Sequence, residues 1–329
     1  MSKELLINLR GGLGNQLFCY FAGQYFSEIS KIPIRFLYYS DSNPHDIEKS
    51  SISSFELSSN LVNAKSWKFR YKAIKLVASR LFRREPKLIR FKRKKLDVSN
   101  LIFSDIYSEQ GFGFDEENET FTHWVSRTNT NKLYLRGNFQ DFSYYDRCPN
   151  KQLKMKNPSS WYHKHISEAK TMKPIMMHIR LGNYLDHGDT LGVLSKSFYE
   201  SALNKAQQQF PNSPIWIFSN NITQAKRLLD IDSKTEFYFI ENTSHHDPAE
   251  SLLLMGMGCA FIASNSTFSL WAAKIAFELE HIFIPYPFYK LHTFNESNLM
   301  APWKRIAANW LGANEILELR NLHQITTEI

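Results

Sequence analysis

The second half of the chain alternates short apolar runs with longer amphipathic segments. Each run is six or seven residues long and mostly apolar, which is typical of a strand buried in a parallel sheet. The runs occupy 174–180, 214–220, 236–241, 259–264 and 281–286, and segments of helical period occupy 195–210, 223–230, 247–257 and 266–280. Regular alternation of strand and helix predicts a doubly wound α/β domain.

Two of these predicted helices carry start signals. Ser197 and Glu200 have the spacing of a capping box. Asp247 precedes Pro248, which suits an N-cap followed by the first helical position. The neighbouring His245 and His246 are therefore interpreted as part of a helix start and not as a metal cluster.

The first half begins with the same alternation and then loses it. A strand is predicted over 4–9, a helix over 15–29 and a second strand over 32–39, and a further ordered segment over 132–145. The Pro, Asn and Lys content that follows predicts a domain boundary at 160/161. Two Rossmann-like α/β domains, 1–160 and 161–329, are expected to hold a ligand between the carboxyl ends of their strands.

Composition narrows the class of protein. The 329 residues are 43% hydrophobic, enough for a sizeable core. Cys19, Cys148 and Cys259 form no pair or metal motif, which favours a reducing compartment. No HExxH, paired-Cys or clustered His and carboxylate spacing occurs, so no metal or other cofactor is expected. Because no apolar run approaches the length of a membrane span, we expect a cytoplasmic protein.

Much of the net charge of +8 comes from the basic segment, residues 65–95, which contains fourteen Lys and Arg and a single acidic residue, Glu85. Its apolar residues recur at helical spacing, while Lys68, Lys72 and Lys75 lie toward the other face. Such a helix fits peripheral contact with an anionic membrane on its inner face. The alternative is a surface helix with a solvated basic face. Nucleic acid is not an expected partner, since no recognition motif accompanies the charge.

Three strand-to-helix junctions carry candidate chemistry. The first, GGLGN, contains Gly11, Gly12 and Gly14. Glycines at such a junction let backbone amides approach a ligand. The spacing differs from that of dinucleotide and Walker loops, so a tight turn that binds no ligand is the alternative interpretation.

The second junction follows the strand at 174–180. His178 and Arg180 are two residues apart and project from one face of that strand. An arginine at the carboxyl end of a strand can pair bidentately with a phosphate. A structural ion pair is the alternative interpretation.

The third junction is Asn265, Ser266 and Thr267, between a strand and a helix. Hydroxyls and free amides at a helix start can bind an anion. An ordinary N-cap is the alternative.

Together, GGLGNQLFCY, HIRLGNY and SNSTFSLW, with YLRGNFQDFSYY between the first two, resemble the bacterial α-1,2-fucosyltransferases of glycosyltransferase family 11. The resemblance implies a metal-independent GT-B fold, with two Rossmann-like domains facing a central cleft. The domain 1–160 would form the acceptor side, and the domain 161–329 would bind the nucleotide sugar. It implies an inverting transfer of L-fucose from the donor GDP-fucose to a galactoside, and a lipid-linked oligosaccharide of a surface polysaccharide such as O-antigen is the expected acceptor.

The resemblance also implies roles for individual residues. Arg180 would pair with the diphosphate, with His178 at its edge. Ser266 and Thr267 would cap a phosphate beside Asn265. The sugar side of the site would be formed by Gly12, Gly14 and Asn15.

The chain departs from the family pattern at three positions. Leu181 and Asn183 stand where the family commonly has Arg and Asp, and Ser251 stands where relatives often carry Asp. Glu250 is expected to serve in place of the last. Because an amide cannot act as a general base, three alternatives are open: the Asp is not the base in the family, Asp186 or Asp189 substitutes for it, or the reaction proceeds with weak base assistance through a dissociative transition state. A different nucleotide sugar or linkage, or a non-catalytic sugar-binding protein, are the competing interpretations.

Overall fold

The structure is a computed structural model. It describes residues 2–9, 11–38, 51–57, 61–63, 90–91, 94–95, 105–108, 121, 125–126, 131–230, 237–241, 247–276, 279–291 and 303–327. The chain divides into two compact units, Met1–Lys154 and Met155–Ile329. The assignment of acceptor and donor roles to the two predicted domains stays a prediction.

The first unit is built on a parallel sheet of five strands in the order β3-β2-β1-β7-β6. Its strands are β1 (Glu4–Asn8), β2 (Ile34–Tyr38), β3 (Leu61–Asn63), β6 (Asp105–Ser108) and β7 (Lys132–Arg136), with a short antiparallel pair, β4 (Arg90–Phe91) and β5 (Lys94–Lys95). Its helices are α1 (Leu13–Ser30) and α2 (Phe142–Arg147). Aromatic rings of α1 pack on those of α2, as in the contact of Phe21 with Tyr145 at 4.7 Å between ring centroids.

The second unit is a six-stranded parallel sheet in the order β10-β9-β8-β11-β12-β13. Its strands are β8 (Ile175–Ile179), β9 (Ile215–Ser219), β10 (Phe237–Phe239), β11 (Ala260–Ile262), β12 (Ile282–Tyr286) and β13 (Lys304–Ala307). Its helices are α3 (Ser160–Met172), α4 (Lys196–Gln209), α5 (Ile222–Leu229), α6 (Pro248–Met255), α7 (Thr267–Ile275) and α8 (Ala313–Thr327). All residues of β8 and β9 are buried, which explains why their sequences are continuously apolar.

Helix starts show where local signals were sufficient. Asp247 is the N-cap of α6 and accepts a hydrogen bond from Ala249 N, as predicted. The capping box predicted for α4 is wrong, because that helix begins two residues earlier than an N-cap at Ser197 would place it. Ser195 is the N-cap, Ser197 lies inside the first turn, and Glu200 lies 3.6 Å from Lys196 Nζ.

Two sequence predictions concern residues that the structure leaves partly or wholly undescribed. The predicted amphipathic helix of the basic segment lies outside the described residues, as do His245 and His246. Among the described helices, none combines the length and the apolar character that a transmembrane span requires.

Candidate functional site

The strand order of the second unit indicates where a ligand can bind. The chain runs from β8 outward to β9 and β10, then returns to β11 on the other side of β8. In doubly wound sheets a crevice opens at the carboxyl ends of the two strands where the direction reverses. Here those strands are β8, followed by Arg180, and β11, followed by Ser264 to Thr267.

Arg180 presents a guanidinium with unused donors. One nitrogen, Nη2, donates to Asn183 Oδ1 at 2.9 Å, and Cζ lies 5.4 Å from the centroid of the Tyr184 ring. The Nε group is buried and has no hydrogen-bond partner. Among the described residues no carboxylate pairs with Arg180, so the alternative of a structural ion pair finds no support there. A buried N–H without a partner costs about 1–3 kcal/mol, which a bound acceptor would recover.

The start of α7 is joined to the Arg180 loop through Tyr184. The Tyr184 hydroxyl donates to the carbonyl of Asn265 at 3.1 Å. The side chain of Asn265 is buried and donates to the carbonyls of Leu191 and Gly192, each at 3.0 Å. Asn265 thus holds the loop at Leu191 and Gly192 in place. Its contact with a ligand stays a prediction.

Ser266 performs the ordinary capping role that the sequence left open. Its Oγ accepts from Phe268 N at 3.3 Å, and α7 begins at Thr267. The remaining amides of the first turn still carry the positive end of the helix dipole. A cap and an anion site are therefore compatible at this junction.

His178 lies under the site as a neutral ring. It is 4% exposed, and its Nδ1 contacts Ser264 Oγ at 2.9 Å and also Ser269 Oγ. Burial, and secondarily the charge of Arg180, lower the pKa of His178 to about 3. At neutral pH the imidazole is uncharged, so Arg180 supplies the positive charge of this pair.

This lowered pKa predicts acid sensitivity. Between pH 3 and 6.5 the unfolded state binds a proton at His178 that the folded state does not, so lowering the pH destabilises the fold. We expect the contribution of His178 to the free energy of unfolding to be constant above pH 6.5. At lower pH this contribution should decrease by up to about 1.4 kcal/mol per pH unit. Chemical denaturation at several pH values checks this. A His178→Asn variant, which cannot titrate, should show the weaker pH dependence, and equal slopes would contradict the assignment.

In the first unit, the glycine junction forms a tight turn between β1 and α1. Gly11 has φ +64°, and Gly12 is an N-cap without a side chain to use. Gln16 Nε2 donates back to the carbonyl of Gly11 at 2.8 Å. Asn15 Oδ1 accepts from Gln140 Nε2 at 2.9 Å, and its nitrogen lies over Gly11. Because Gln16 is buried and bonded to Gly11, its role is structural. Gly14 is also buried within α1, whereas Gly12 and Asn15 are partly exposed.

Glu250 is occupied within the protein. It is 2% exposed, and its two carboxylate oxygens accept from Ser159 N at 2.6 Å and Ser159 Oγ at 2.8 Å. Ser159 is the N-cap of α3, so Glu250 reinforces that helix start. The described contacts do not bring Glu250 to Arg180, and its predicted nucleoside contact stays a prediction.

The structure therefore groups some predicted residues and leaves others apart. His178, Arg180, Asn183 and the start of α7 form one cluster, whereas Asp186 and Asp189 are exposed on the loop beyond it. In the part of the chain that the structure describes, no group of three His, Cys, Asp or Glu is placed to hold a metal.

Sequence reasoning missed several residues that build this cluster. Ser264 and Ser269 contact His178, and Tyr184 contacts Arg180. Asn220 accepts from Leu181 N at 2.8 Å and donates to Leu181 O at 3.0 Å. A signal existed for Asn220, because it follows β9, the neighbour of β8, and carboxyl ends of parallel strands lie at one edge.

Comparisons with known proteins identify the family of the chain. A profile of glycosyl transferase family 11 matches residues 7–307. A search of curated protein sequences finds no significant match.

Among solved structures, two of NodZ are similar: the selenomethionine fucosyltransferase NodZ from Bradyrhizobium, and NodZ α-1,6-fucosyltransferase co-crystallised with GDP. Each is 10% identical with a TM-score of 0.50, covering 83% of this chain and 92% of the other. The E. coli ADP-heptose LPS heptosyltransferase II is 9% identical over 100% of both chains, with a TM-score of 0.47.

At these identities the likeness to NodZ shows the fold alone, and that fold is GT-B, as predicted. The family profile, in contrast, spans nearly the whole chain, from β1 to the end of β13. The protein therefore belongs to glycosyl transferase family 11 and is an enzyme of the glycosyltransferase class.

Proposed function

We propose that the protein is an inverting fucosyltransferase that transfers L-fucose from GDP-fucose to a galactose-type hydroxyl, forming an α-1,2 linkage. Membership of glycosyl transferase family 11 supports fucosyl transfer. The single observation that carries the donor side is the guanidinium of Arg180, with a buried Nε that has no partner. No metal is required in this proposal.

The chemistry follows from where charge develops. As the bond between the fucose anomeric carbon and the β-phosphate oxygen breaks, its electron pair leaves with GDP. Arg180 and the amides at the start of α7 are aimed at that growing charge, so they stabilise the transition state more than the ground state. The acceptor oxygen forms its bond on the opposite face of the sugar, and its proton passes to solvent.

Asn183 orients Arg180 in this proposal and accepts no proton from the acceptor. Its Oδ1 is already used by Arg180 Nη2 at 2.9 Å. Neutral His178 adds no charge that would compete with Arg180. The transfer therefore proceeds through a dissociative transition state with weak base assistance.

The sugar side is proposed for the junction after β1. Gly12 leaves this turn without a side chain, Gly14 lies beside it in the first turn of α1, and Asn15 is held in one orientation by Gln140. A backbone amide and a fixed amide side chain are suited to hydroxyl groups of fucose or acceptor.

The acceptor is proposed to be lipid-linked, and the enzyme peripheral on the inner membrane face, because of the basic segment. Charge reversal at Lys68, Lys72 and Lys75 should reduce co-sedimentation with anionic liposomes, whereas neutral liposomes should show no change. Unaltered binding to anionic liposomes would contradict the membrane role.

Mass-spectrometric assay of donor hydrolysis and transfer tests the proposed reaction. GDP-fucose should be turned over in the presence of EDTA, and GDP-mannose and UDP-sugars should not. Turnover of another donor would replace fucose in the proposal. Binding of GDP-fucose without turnover over many galactosides would favour a non-catalytic binding protein.

A further inference from the structure

The C-terminal helix α8 packs against the turn that follows Arg180, residues Gly182–His187. Arg320 of α8 donates to the carbonyl of Leu185, and its Nε lies 3.6 Å from Asp186 Oδ1. At the end of the turn, a Cβ placed on Gly188 would lie only 2.6 Å from Ile316 Cδ1. The helix is therefore seated directly on this turn.

The same helix reaches the first residue of the turn through Gln224. This side chain is 1% exposed and lies between α8 and the site loop. Its Nε2 donates to the carbonyl of Leu319 at 2.8 Å, and its Oε1 accepts from Gly182 N at 3.3 Å. Since a buried amide left unpaired costs free energy, a shift of α8 would be transmitted to Gly182.

The turn carries the two side chains that contact the guanidinium of Arg180. Asn183 accepts from its Nη2, and the ring of Tyr184 lies beneath its Cζ. The turn is therefore held by α8 directly at Leu185 and Gly188, and through Gln224 of α5 at Gly182, so these contacts fix the positions of Asn183 and Tyr184.

We infer that α8 is a brace for Arg180, and that Arg320 is a positioning residue for the donor diphosphate. This inference rests on the proposed function. The brace lies beyond residues 7–307, the part that the family profile covers, so family membership does not supply it. Arg320 touches no reacting atom and acts only through the turn.

Arg320 is the suitable residue to test, because it is exposed while Gln224 is buried. Glu318 offers a matched control on the same helix. It pairs with Arg227 of α5 on the surface, and among the described contacts none joins it to the turn. Glu318→Gln therefore removes a charge from α8 and leaves the brace intact.

A double-mutant cycle separates positioning from general stability. The variants are Arg320→Gln, Arg180→Lys and both together, assayed for kcat/KM with GDP-fucose well below the measured Tm. Arg320→Gln should lower kcat/KM on the order of tenfold in the wild-type background, since small misplacements of a charged group are costly. In the Arg180→Lys background the further loss should be less than about twofold. Arg320→Lys should restore part of the rate, and Glu318→Gln should leave it unchanged.

Equal losses in both backgrounds would overturn the inference, as would an Arg320→Gln variant with the wild-type rate. GDP binding, measured by calorimetry in parallel, distinguishes failure of the proposed function from failure of the brace. A wild-type protein that neither binds GDP nor turns over GDP-fucose contradicts the proposed function. A wild-type protein that does both, with Arg320→Gln indistinguishable from it, overturns the brace alone.

Discussion

Arg180→Ala is expected to lower kcat for fucosyl transfer by about 10³-fold, which is the upper range for removing one preorganised donor from a developing anion. His178 is neutral. The guanidinium is therefore the only charged group that the described contacts place between the carboxyl end of β8 and the start of α7. Steady-state transfer and single-turnover kinetics with GDP-fucose measure the loss. Arg180→Lys should recover part of it, because lysine keeps the charge and lacks the planar fork.

The control for this substitution is Arg305→Ala. Arg305 belongs to the same unit, and its Cζ lies 4.7 Å from the ring of Tyr286 on the surface. Both variants should keep the wild-type circular dichroism spectrum and a similar Tm. Near-normal turnover by a folded Arg180→Ala protein would contradict the phosphate role.

Asn183→Asp is expected to lower kcat/KM for the donor by about 10- to 100-fold, equivalent to one charge-assisted hydrogen bond. A carboxylate in place of the amide would pair with Arg180 Nη2 and neutralise the charge that the diphosphate needs. Titration with GDP and steady-state kinetics together show whether the loss lies in binding, in turnover or in both.

This substitution also tests the general-base hypothesis, because aspartate is a base and asparagine is not. If a missing general base at this position limited the reaction, Asn183→Asp would instead raise kcat and add an acid limb to its pH profile, and that result would contradict the expected loss. Asn183→Ala is the matched control, since it removes the orienting contact without adding charge. A smaller loss for alanine than for aspartate supports competition for the Arg180 charge.

The strands around the site were predictable, because β8, β9 and β11 are buried throughout and their sequences are therefore almost continuously apolar. The five predicted strands of the second unit all occur, from β8 to β12. The edge strand β13 was not predicted, since three of its four residues are exposed and no apolar run marks it. Helix α8 follows it and was likewise missed.

Functional residues divide in the same way. Arg180 and Ser266 stand at the ends of predictable strands, where residue type and position indicate chemistry. Glu250 had the right residue type and is buried beside Ser159, 91 positions away. No local pattern announces such a partner.

The sequence by itself determined the alternation of strands and helices, the three junctions with candidate chemistry and the family that they indicate. Those features depend on local periodicity and on residues close together in the chain. Only the tertiary structure decided that Arg180 has no carboxylate partner among the described residues, that His178 is neutral, and that α8 supports the loop. Each of these rests on contacts between distant segments, such as Leu185 with Arg320 across 135 positions. Burial and pairing in such contacts set charge and orientation, and they exist only once the sheet has brought the strand ends together.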